Sequence, residues 1–398
     1  MIRKLVLRRD LQRQIRQGHP WLYRDAVEAA PNLATLATLA TLATLETGAI
    51  VDIVGKDGKF LARGLWDATS PLAVRLYAQE RRNFDEAFFI ERLRFAQGLR
   101  DRFLDRANTD GYRWCNGEGD GLPGVVLDRY AHVAVLRLDG EAVAALRPAI
   151  VAAVAALATE LGITALIERA RQAAHTHLWG NPIDGEIAIR EHGVGFLVDV
   201  LRGQKTGLFL DQRENRALVK TIARGAQVAN LFSYTGGFSL YAAVGGARRV
   251  DSVDIAEPAI AAARRNFAHN GLNSDQHGFF VQDVFEWLTS QKSARYDVMI
   301  VDPPSFAPSE KTKDAALVAY RDVFAKSLAL VEPGGLFCPS SCSSHITTQD
   351  FLDVVQGAAQ QVRCRLQLAE LRGQPADHPS PLPFSEGRYL KFAVLRVV

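Results

Sequence analysis

The segments V-A-N-L-F-S-Y-T-G-G-F-S-L, from Val228 to Leu240, and V-D-S-V-D, from Val250 to Asp254, decide the fold of this chain. Each begins with a short apolar run that predicts a buried strand. Gly236-Gly237 follows the first strand and permits close backbone approach, and a helix is predicted directly after it. Asp254 closes the second strand about twenty residues later. Glycines after one strand and a carboxylate after the next are typical of a nucleoside-binding α/β fold, in which the acid accepts hydrogen bonds from ribose hydroxyls.

The glycine pattern of this turn narrows the choice of nucleoside. The dinucleotide motif G-x-G-x-x-G is absent, because Gly236-Gly237 is followed by Phe238 and no third glycine. A pyrophosphate needs a glycine-lined helix N-terminus, so an NAD-dependent dehydrogenase is disfavoured. S-adenosylmethionine, which carries ribose, adenine and a cation but no phosphate, fits the turn better.

The C-terminal half of the chain alternates strands with helical patterns, which is typical of a parallel sheet with helices on both faces. A strand from Phe196 to Leu201 precedes this region. Seven strands are then predicted, the number found in the methyltransferase version of the doubly wound sheet: Val228–Phe232, Val250–Val253, Gly278–Val281, Tyr296–Val301, Gly335–Cys338, Arg365–Leu371 and Leu390–Val397.

The N-terminal part indicates a small β-rich domain that ends at about residue 75, with short strands at Leu5–Leu7, Ala49–Val54 and Phe60–Leu65. Four copies of L-A-T, from Leu33 to Thr44, interrupt it, and we interpret them as a variable surface insertion. Further along, the glycine-rich loop Asn116–Gly124 contains two acids that would repel phosphate. We therefore favour a tight turn over a phosphate-binding loop.

Composition sets broader limits on the class of protein. Hydrophobic residues make up 48% and charged residues 23% of the 398 positions, which is ordinary for a soluble globular chain of two or three domains. The net charge of +3 does not demand a nucleic acid. A basic N-terminal arm suits either a phosphate backbone or a solvated face. Its basic residues are Arg3, Lys4, Arg8, Arg9, Arg13, Arg16 and Arg24.

The cysteine, histidine and apolar patterns predict a cytoplasmic enzyme without a metal site. The four cysteines lack metal-ligand spacing, and their low density is typical of a reducing compartment. His175 and His177 have no third ligand nearby. The N-terminus has no signal-peptide apolar region. The longest apolar stretch, Ala142–Leu157, is interrupted by Arg147 and is too short and alanine-rich to span a membrane.

Two strand ends carry candidate chemistry. Asp302-Pro303-Pro304-Ser305-Phe306 closes the fourth strand of the sheet, where ligands bind in such folds. The prolines stiffen the loop, the acid can hydrogen-bond a base edge, and the aromatic ring can stack on a base. The alternative is a rigid turn with a capping acid.

Cys342 lies among small hydroxyl residues after the fifth strand and is either a nucleophile or a packing residue. Cys338 lies within the strand and is predicted to be in the core, and Cys115 and Cys364 are predicted to be structural. Asp283, after the third strand, can accept from an adenine amino group, cap the following helix, or do both.

Many motifs, in order along nearly the whole chain, resemble one family: the bacterial 23S rRNA cytosine-5 methyltransferases of the RlmI/RlmO type. They are Gly18-His19-Pro20-Trp21, the Gly117–Gly124 loop, Glu191-His192-Gly193, Lys205-Thr206-Gly207, Asp211-Gln212-Arg213, Phe232–Phe238, Asp302-Pro303-Pro304, Ser341-Cys342-Ser343, Asp377-His378-Pro379 and Tyr389-Leu390-Lys391. The L-A-T insertion is not part of the family pattern.

This resemblance implies an α/β fold class with three domains. An N-terminal β-rich PUA domain for RNA binding would cover residues 1–75 and include the insertion at 33–44. A central α/β domain would cover 76–190. A C-terminal Rossmann-like, seven-stranded class I methyltransferase domain would cover 191–398. The implied cofactor is S-adenosylmethionine and the implied partner is 23S rRNA, naked or in an assembly intermediate, without a membrane. A homodimer is left open.

The resemblance also implies a covalent mechanism and a set of site residues. The Cys342 thiolate would attack the 6-position of a flipped-out cytosine, while Asp302 keeps N3 protonated. Pro303, Pro304 and Phe306 would contact the substrate base. The base that removes the 5-proton is open among Asp302, His345 and water. The residues implied around the cofactor are Gln212, Arg213, Asn230, Phe232, Tyr234, Thr235, Gly236, Asp254, Asp283 and Asp302.

Two alternatives compete with this interpretation. A methyltransferase acting on a base nitrogen uses a similar Asp-Pro-Pro-aromatic motif without covalent catalysis, so Cys342 would be dispensable. A non-catalytic RNA-binding or ribosome-assembly factor would need a broken cofactor site, yet Gly236, Asp254 and Asp283 are all present.

Overall fold

The computed structural model describes residues 2–29, 45–170, 175–291, 295–307 and 309–398. The L-A-T insertion at 33–44 lies outside these ranges. The chain divides into two compact units, and it passes from one to the other after residues 187, 198, 207, 375 and 387. The first unit is Met1–Ile187, Asp199–Gly207 and Ala376–Gly387, and the second is Ala188–Val198, Leu208–Pro375 and Arg388–Val398.

The first unit begins with a six-stranded sheet. Its strands are β1 (Arg3–Leu7), β2 (Trp21–Tyr23), β3 (Val27–Ala29), β4 (Ile50–Val54), β5 (Phe60–Trp66) and β6 (Leu72–Ala78), in the order β2-β6-β5-β4-β1-β3. Helix α1 (Gln12–Arg16) connects β1 and β2. Strands β1 and β4 pair in parallel, and the other neighbours are antiparallel. The three strands predicted in this region are confirmed as β1, β4 and β5.

A second sheet in the same unit carries two long helices. Its strands are β7 (Gly111–Asn116), β8 (Val125–Tyr130), β9 (Val133–Leu138), β10 (Ala165–Arg169) and β11 (His175–Gly180), in the order β11-β10-β9-β8-β7. Helix α2 (Glu86–Phe103) starts after Asp85, whose carboxylate accepts from the Phe88 amide. Helix α3 (Arg147–Leu161) ends at Gly162, which is left-handed. Both helices bury apolar residues in one core with this sheet.

The stretch Ala142–Leu161 is long and apolar enough to cross a membrane when judged by length and composition alone. It forms a short 3₁₀ turn followed by α3. Its residues Val143, Ile150 and Val154 are fully buried in the core of the first unit. Core packing therefore accounts for its apolar character.

The glycine-rich loop is a structural turn, as predicted. Residues Gly117–Asp120 form a 3₁₀ turn, and the Asp120 carboxylate accepts two hydrogen bonds of 2.7 Å from the fully buried Arg100. Arg100 also donates to the carbonyl oxygen of Asp377 at 2.6 Å. A Cβ atom on Gly119 would lie 1.9 Å from the carbonyl oxygen of Pro379, so only glycine fits there. The segment 376–387 is thus packed directly onto this loop.

The second unit opens with the hairpin of β12 (Ile187–Glu191) and β13 (Val194–Val198). His192 and Gly193 both have positive φ, which matches the tight turns that join antiparallel strands. The predicted strand Phe196–Leu201 is wrong at its C-terminal end. The chain turns after Val198 because the Asp199 carboxylate accepts from the amides of Leu201 and Arg202, at 3.0 and 2.9 Å.

The main sheet of the second unit has seven strands, which confirms the predicted number. They are β14 (Gln227–Leu231), β15 (Arg249–Asp254), β16 (Gly278–Val281), β17 (Tyr296–Val301), β18 (Val331–Ser341), β19 (Leu366–Arg372) and β20 (Lys391–Val397). The helices are α4 (Arg213–Ile222), α5 (Gly237–Val244), α6 (Glu257–His269), α7 (Val284–Ser290), α8 (Lys313–Leu328) and α9 (Thr348–Gln361).

The strand order is β16-β15-β14-β17-β18-β20-β19, with β14 to β18 parallel and β20 antiparallel to both of its neighbours. The first strand, β14, has β15 on one side and β17 on the other, so the connections leave it in opposite directions. Such a reversal opens a crevice at the carboxyl ends of the strands, where ligands bind.

Candidate active site

The turn after β14 has an unusual backbone. Phe232 and Tyr234 are left-handed, with φ of +59° and +46°, and so is Gly236, with φ of +76°. Left-handed non-glycine residues are uncommon and concentrate where a loop is shaped for a ligand. A side chain at Gly236 would also place its Cβ 2.7 Å from the Cβ of Ala263 on α6. Glycine is therefore required here for two separate reasons.

Asp254 is held against this turn. Its Oδ2 accepts from the Tyr234 amide at 2.8 Å, and its Oδ1 accepts from the Ala256 amide at 2.9 Å. Each carboxylate oxygen can accept a second hydrogen bond. The arrangement fixes the carboxylate at the end of β15, where the sequence predicted a partner for ribose hydroxyls.

Asp283 lies along the same edge of the sheet. Asp254 pairs in register with Val281, and Asp283 follows two residues later. Its Oδ1 accepts from the amides of Phe285 and Glu286 at 2.8 and 3.1 Å, so it caps α7, as one of the two predicted roles requires. Both hydrogen bonds are accepted by Oδ1. The other predicted role of Asp283, to accept from an adenine amino group, stays a prediction.

Gln212 is buried and forms a hydrogen bond with Asp302. The Gln212 amide nitrogen donates to Asp302 Oδ2 at 3.1 Å and to Ser340 Oγ at 3.0 Å. The amide oxygen accepts from Asn215 Nδ2 at 2.6 Å, which fixes the orientation of the amide. Because the Gln212 amide nitrogen donates, Oδ2 of Asp302 is the acceptor in this hydrogen bond. Sequence reasoning placed Gln212 around the cofactor and missed this contact.

Arg213, which follows Gln212, is almost fully buried and donates to Glu214 Oε1 at 2.9 Å. Burial alone would raise the pKa of Glu214, but the hydrogen bond from His192 and the charge of Arg213 outweigh it and lower that pKa to about 2. The structure thus gives Arg213 an ion pair within the second unit, and its predicted cofactor role stays a prediction.

The carboxyl ends of β17 and β18 bring the two candidate catalytic groups to one tyrosine. Tyr320 of α8 is buried, and its pKa is raised to about 12 by burial and by the negative charges of Cys342 and Asp302. Its hydroxyl accepts from Ser341 Oγ at 3.2 Å. The ring of Phe306 lies 4.9 Å from the Tyr320 ring. Sequence reasoning missed Tyr320, because an aromatic residue within a helix pattern is normally a core residue.

The two prolines beside Asp302 differ in exposure: Pro303 is buried and Pro304 is exposed. Only Pro304 therefore presents a surface to solvent.

Among the described residues, no group of three or more histidine, cysteine or acidic side chains is arranged to hold a metal ion.

The four cysteines differ in burial: Cys115 and Cys338 are fully buried, and Cys342 and Cys364 are half-buried. Burial raises the pKa of the Cys115 and Cys364 thiols, and it raises the pKa of Cys338 to about 12. These thiols are therefore held in the unreactive protonated form at neutral pH. Cys338 is fully buried, as predicted for a core residue, whereas Cys342 is half-buried.

The seven-stranded order, the glycine turn and the carboxylates at the strand ends define a methyltransferase that uses S-adenosylmethionine. Comparison with known proteins agrees. Residues 126–388 match the family model described as S-adenosylmethionine-dependent methyltransferase, and residues 5–79 match a PUA-like domain. The chain belongs to this methyltransferase family, with a PUA-like domain at its N-terminus.

A curated relative and two solved structures are similar over nearly their full length. Ribosomal RNA large subunit methyltransferase I from Salmonella newport (strain SL254) is 35% identical, over 99% of this chain and 98% of the relative. A candidate methyltransferase from Streptococcus mutans has a TM-score of 0.86 at 26% identity, with full coverage of both chains. A second structure of a candidate methyltransferase, solved in complex with SAH, matches with the same values.

Buried polar atoms at the turn fit this cofactor. Among the described residues, Asn230 Oδ1 and Ser233 Oγ are buried without a hydrogen-bond partner, although Asn230 Nδ2 donates to Ser239 Oγ at 2.9 Å. An unsatisfied buried acceptor is costly, and a ligand that brings N–H or O–H groups to the turn would remove that cost. The cofactor supplies an activated methyl group on a positively charged sulfur.

Replacement of Asp254 by alanine is expected to weaken binding of S-adenosylmethionine by about 10- to 100-fold, because hydrogen bonds to a charged group contribute about 1.5–3 kcal/mol. Isothermal titration with the cofactor measures the change in Kd. Asp254→Asn keeps one acceptor oxygen and should lose less affinity. Asp275→Ala, which removes an exposed carboxylate from the same unit, should bind as the wild type does. Unchanged binding by Asp254→Ala would contradict the ribose assignment.

Proposed function

We propose that this protein transfers a methyl group from S-adenosylmethionine to the 5-carbon of a cytosine in 23S rRNA, through a covalent adduct with Cys342. The name of its curated relative supports a large-subunit rRNA substrate. The observation that carries the cytosine-5 chemistry is the amide of Gln212, which donates both to Asp302 and to Ser340, two residues before Cys342. The candidate acid and the candidate nucleophile therefore follow the ends of neighbouring paired strands that one side chain connects.

The proposed reaction begins at Cys342. Its thiolate forms a bond to C6 of the cytosine, and the ring electrons move toward N3, which Asp302 keeps protonated. The 5-carbon becomes nucleophilic and forms a bond to the methyl carbon, while the bond from that carbon to the positively charged sulfur breaks and the sulfur keeps its electron pair as a neutral thioether. A base then takes the proton from C5, the C5–C6 double bond forms again, and the sulfur of Cys342 leaves with its electron pair. This sequence is needed because C5 of an intact cytosine ring is a poor nucleophile.

Contacts of the described residues suit this division of roles. Gln212 donates to Oδ2 of Asp302, which fixes the carboxylate at the end of β17, where it would contact the N3 and amino edge of a base. Phe306 is half-buried, so one part of its ring packs on Tyr320 and the remainder is available for stacking. Tyr320 is part of the buried core of the second unit, and Phe306 packs against that core.

Exposed positive charge in the first unit supports an RNA partner. Arg3, Lys4, Arg13 and Arg16 are exposed. Arginine and lysine side chains contact phosphates, and a PUA-like domain matches this part of the chain. We propose a PUA-like domain over residues 1–75, a central α/β domain over 76–190 and a methyltransferase domain over 191–398. Residues 199–207 and 376–387, which lie within the third range, belong to the first compact unit. We further propose that the protein works in the cytoplasm, where its RNA substrate is made.

The test is transfer of a labelled methyl group to protein-free 23S rRNA and to an assembly intermediate, followed by nuclease digestion and separation of nucleosides. Label in 5-methylcytidine is the expected result. Label in a nucleoside methylated at nitrogen would overturn the cytosine-5 proposal in favour of the non-covalent alternative. RNA binding without any label would favour a non-catalytic assembly factor.

A further inference from the structure

A buried lysine lies against the loop that carries Cys342. Lys391 begins β20 and is 3% exposed. Its Nζ donates to the carbonyl oxygen of Ser343 at 2.5 Å and to that of Tyr389 at 2.8 Å. Ser343 is the residue after Cys342, and Ser343 Oγ donates to the Ala307 carbonyl at 2.9 Å. The backbone beside the thiol is therefore held from two sides.

The hydrogen bonds of Lys391 are to neutral carbonyl oxygens. Burying an ammonium group is costly unless an opposite charge compensates it. Burial lowers the pKa of Lys391 to about 8, and the negative charges of Cys342 and Asp350 act in the opposite direction. Lys391 thus carries its charge below about pH 8 and loses it as the pH rises further.

The charge of Asp350 is already balanced by Lys313. Asp350 lies 2.8 Å from Lys313 Nζ and accepts hydrogen bonds from Thr347 at the start of α9. The thiolate of Cys342 is therefore the negative group whose charge Lys391 is best placed to balance.

We propose that Lys391 is a positioning residue for Cys342, which fixes the loop through the Ser343 carbonyl and stabilises the thiolate with its positive charge. This inference rests on the proposed function of Cys342 as nucleophile. Charge interactions are reciprocal: if the thiolate favours a protonated Lys391, a protonated Lys391 favours the thiolate to the same extent. A cysteine beside a lysine is more reactive at neutral pH for this reason.

The direct test is alkylation of Cys342 by iodoacetamide as a function of pH, with the modified peptide quantified by mass spectrometry. In Lys391→Met, the pH midpoint of alkylation is expected to rise by about one unit, with the rate near neutral pH about tenfold lower. Lys391→Arg keeps the charge and should restore most of the shift. Lys326→Met, which removes an exposed lysine paired with Asp322, should behave as the wild type does.

The midpoint separates an electrostatic role from a structural one. Loss of loop structure alone would expose Cys342 and speed alkylation at every pH without moving the midpoint. A wild-type midpoint in Lys391→Met would overturn the proposal.

A second measurement covers the case in which Lys391→Met does not fold. The ε-carbon resonance of Lys391 is titrated by NMR in protein with isotope-labelled lysine, and Lys391→Arg assigns it. In Cys342→Ala, the midpoint of Lys391 is expected to fall by about one unit, the same size as the shift of Cys342 in Lys391→Met, because the coupling is reciprocal. An unchanged midpoint would overturn the proposal. Neither readout uses RNA. A methylated product other than 5-methylcytidine would therefore contradict the proposed function without contradicting the coupling between Lys391 and Cys342.

Discussion

Replacement of Cys342 by alanine is expected to lower the rate of methyl transfer by about 10⁴-fold or more, because removal of a covalent nucleophile abolishes the pathway that activates the substrate. Cofactor affinity and thermal unfolding should not change, because Cys342 is half-buried and follows the end of β18. Single-turnover transfer of labelled methyl groups to 23S rRNA measures the effect. Cys364→Ala removes another half-buried thiol of the second unit and should retain full activity.

The covalent adduct can be detected directly, with Cys342→Ala as the negative control. An RNA with 5-fluorocytosine at the target can be attacked and methylated, but it carries no proton at C5 for the base to remove. Wild-type protein and Cys364→Ala should therefore form a complex with this RNA that survives denaturation, and Cys342→Ala should not. Activity of Cys342→Ala within tenfold of the wild type would remove the covalent mechanism and favour methylation at nitrogen.

Replacement of Asp302 by asparagine is expected to lower kcat by about 10²- to 10³-fold, because an amide cannot supply the negative charge that keeps N3 of the base protonated. The amide oxygen can still accept from Gln212, so the local structure should survive. Single-turnover rates at saturating cofactor and RNA separate this effect from binding. Asp297→Asn, on the same strand but toward its opposite end, is the matched control, since its side-chain oxygen can still accept from the Gln227 amide. A change in kcat of less than twofold would contradict the assignment.

Features that depend on neighbours in sequence could be predicted from the residues. The seven strands and the turn at Gly236 follow from apolar runs and glycines. The helix cap at Asp283 also needs only the amides two and three residues further along the chain. The left-handed conformations of Phe232 and Tyr234 could not be predicted in this way, because side chains of this size rarely adopt them.

Contacts between distant segments account for the rest of the site. Gln212 is 90 residues from Asp302, and Lys391 is 48 residues from Ser343. In the sequence, Tyr320 cannot be distinguished from a core aromatic, and Lys391 cannot be distinguished from a polar residue at the start of a strand. Only the packing of α8 and β20 against the loop after β18 gives these residues a role.

The return of residues 376–387 to the first unit has a consequence for synthesis of the chain. Arg100 and Asp120 are made early, but the Asp377 carbonyl, to which Arg100 also donates, is made 277 residues after Arg100. Domains often fold one after another as they leave the ribosome. Here the first unit must wait for almost the whole second unit to emerge. We therefore expect the last folding step of the first unit to follow the emergence of residues 376–387, rather than that of its N-terminal half.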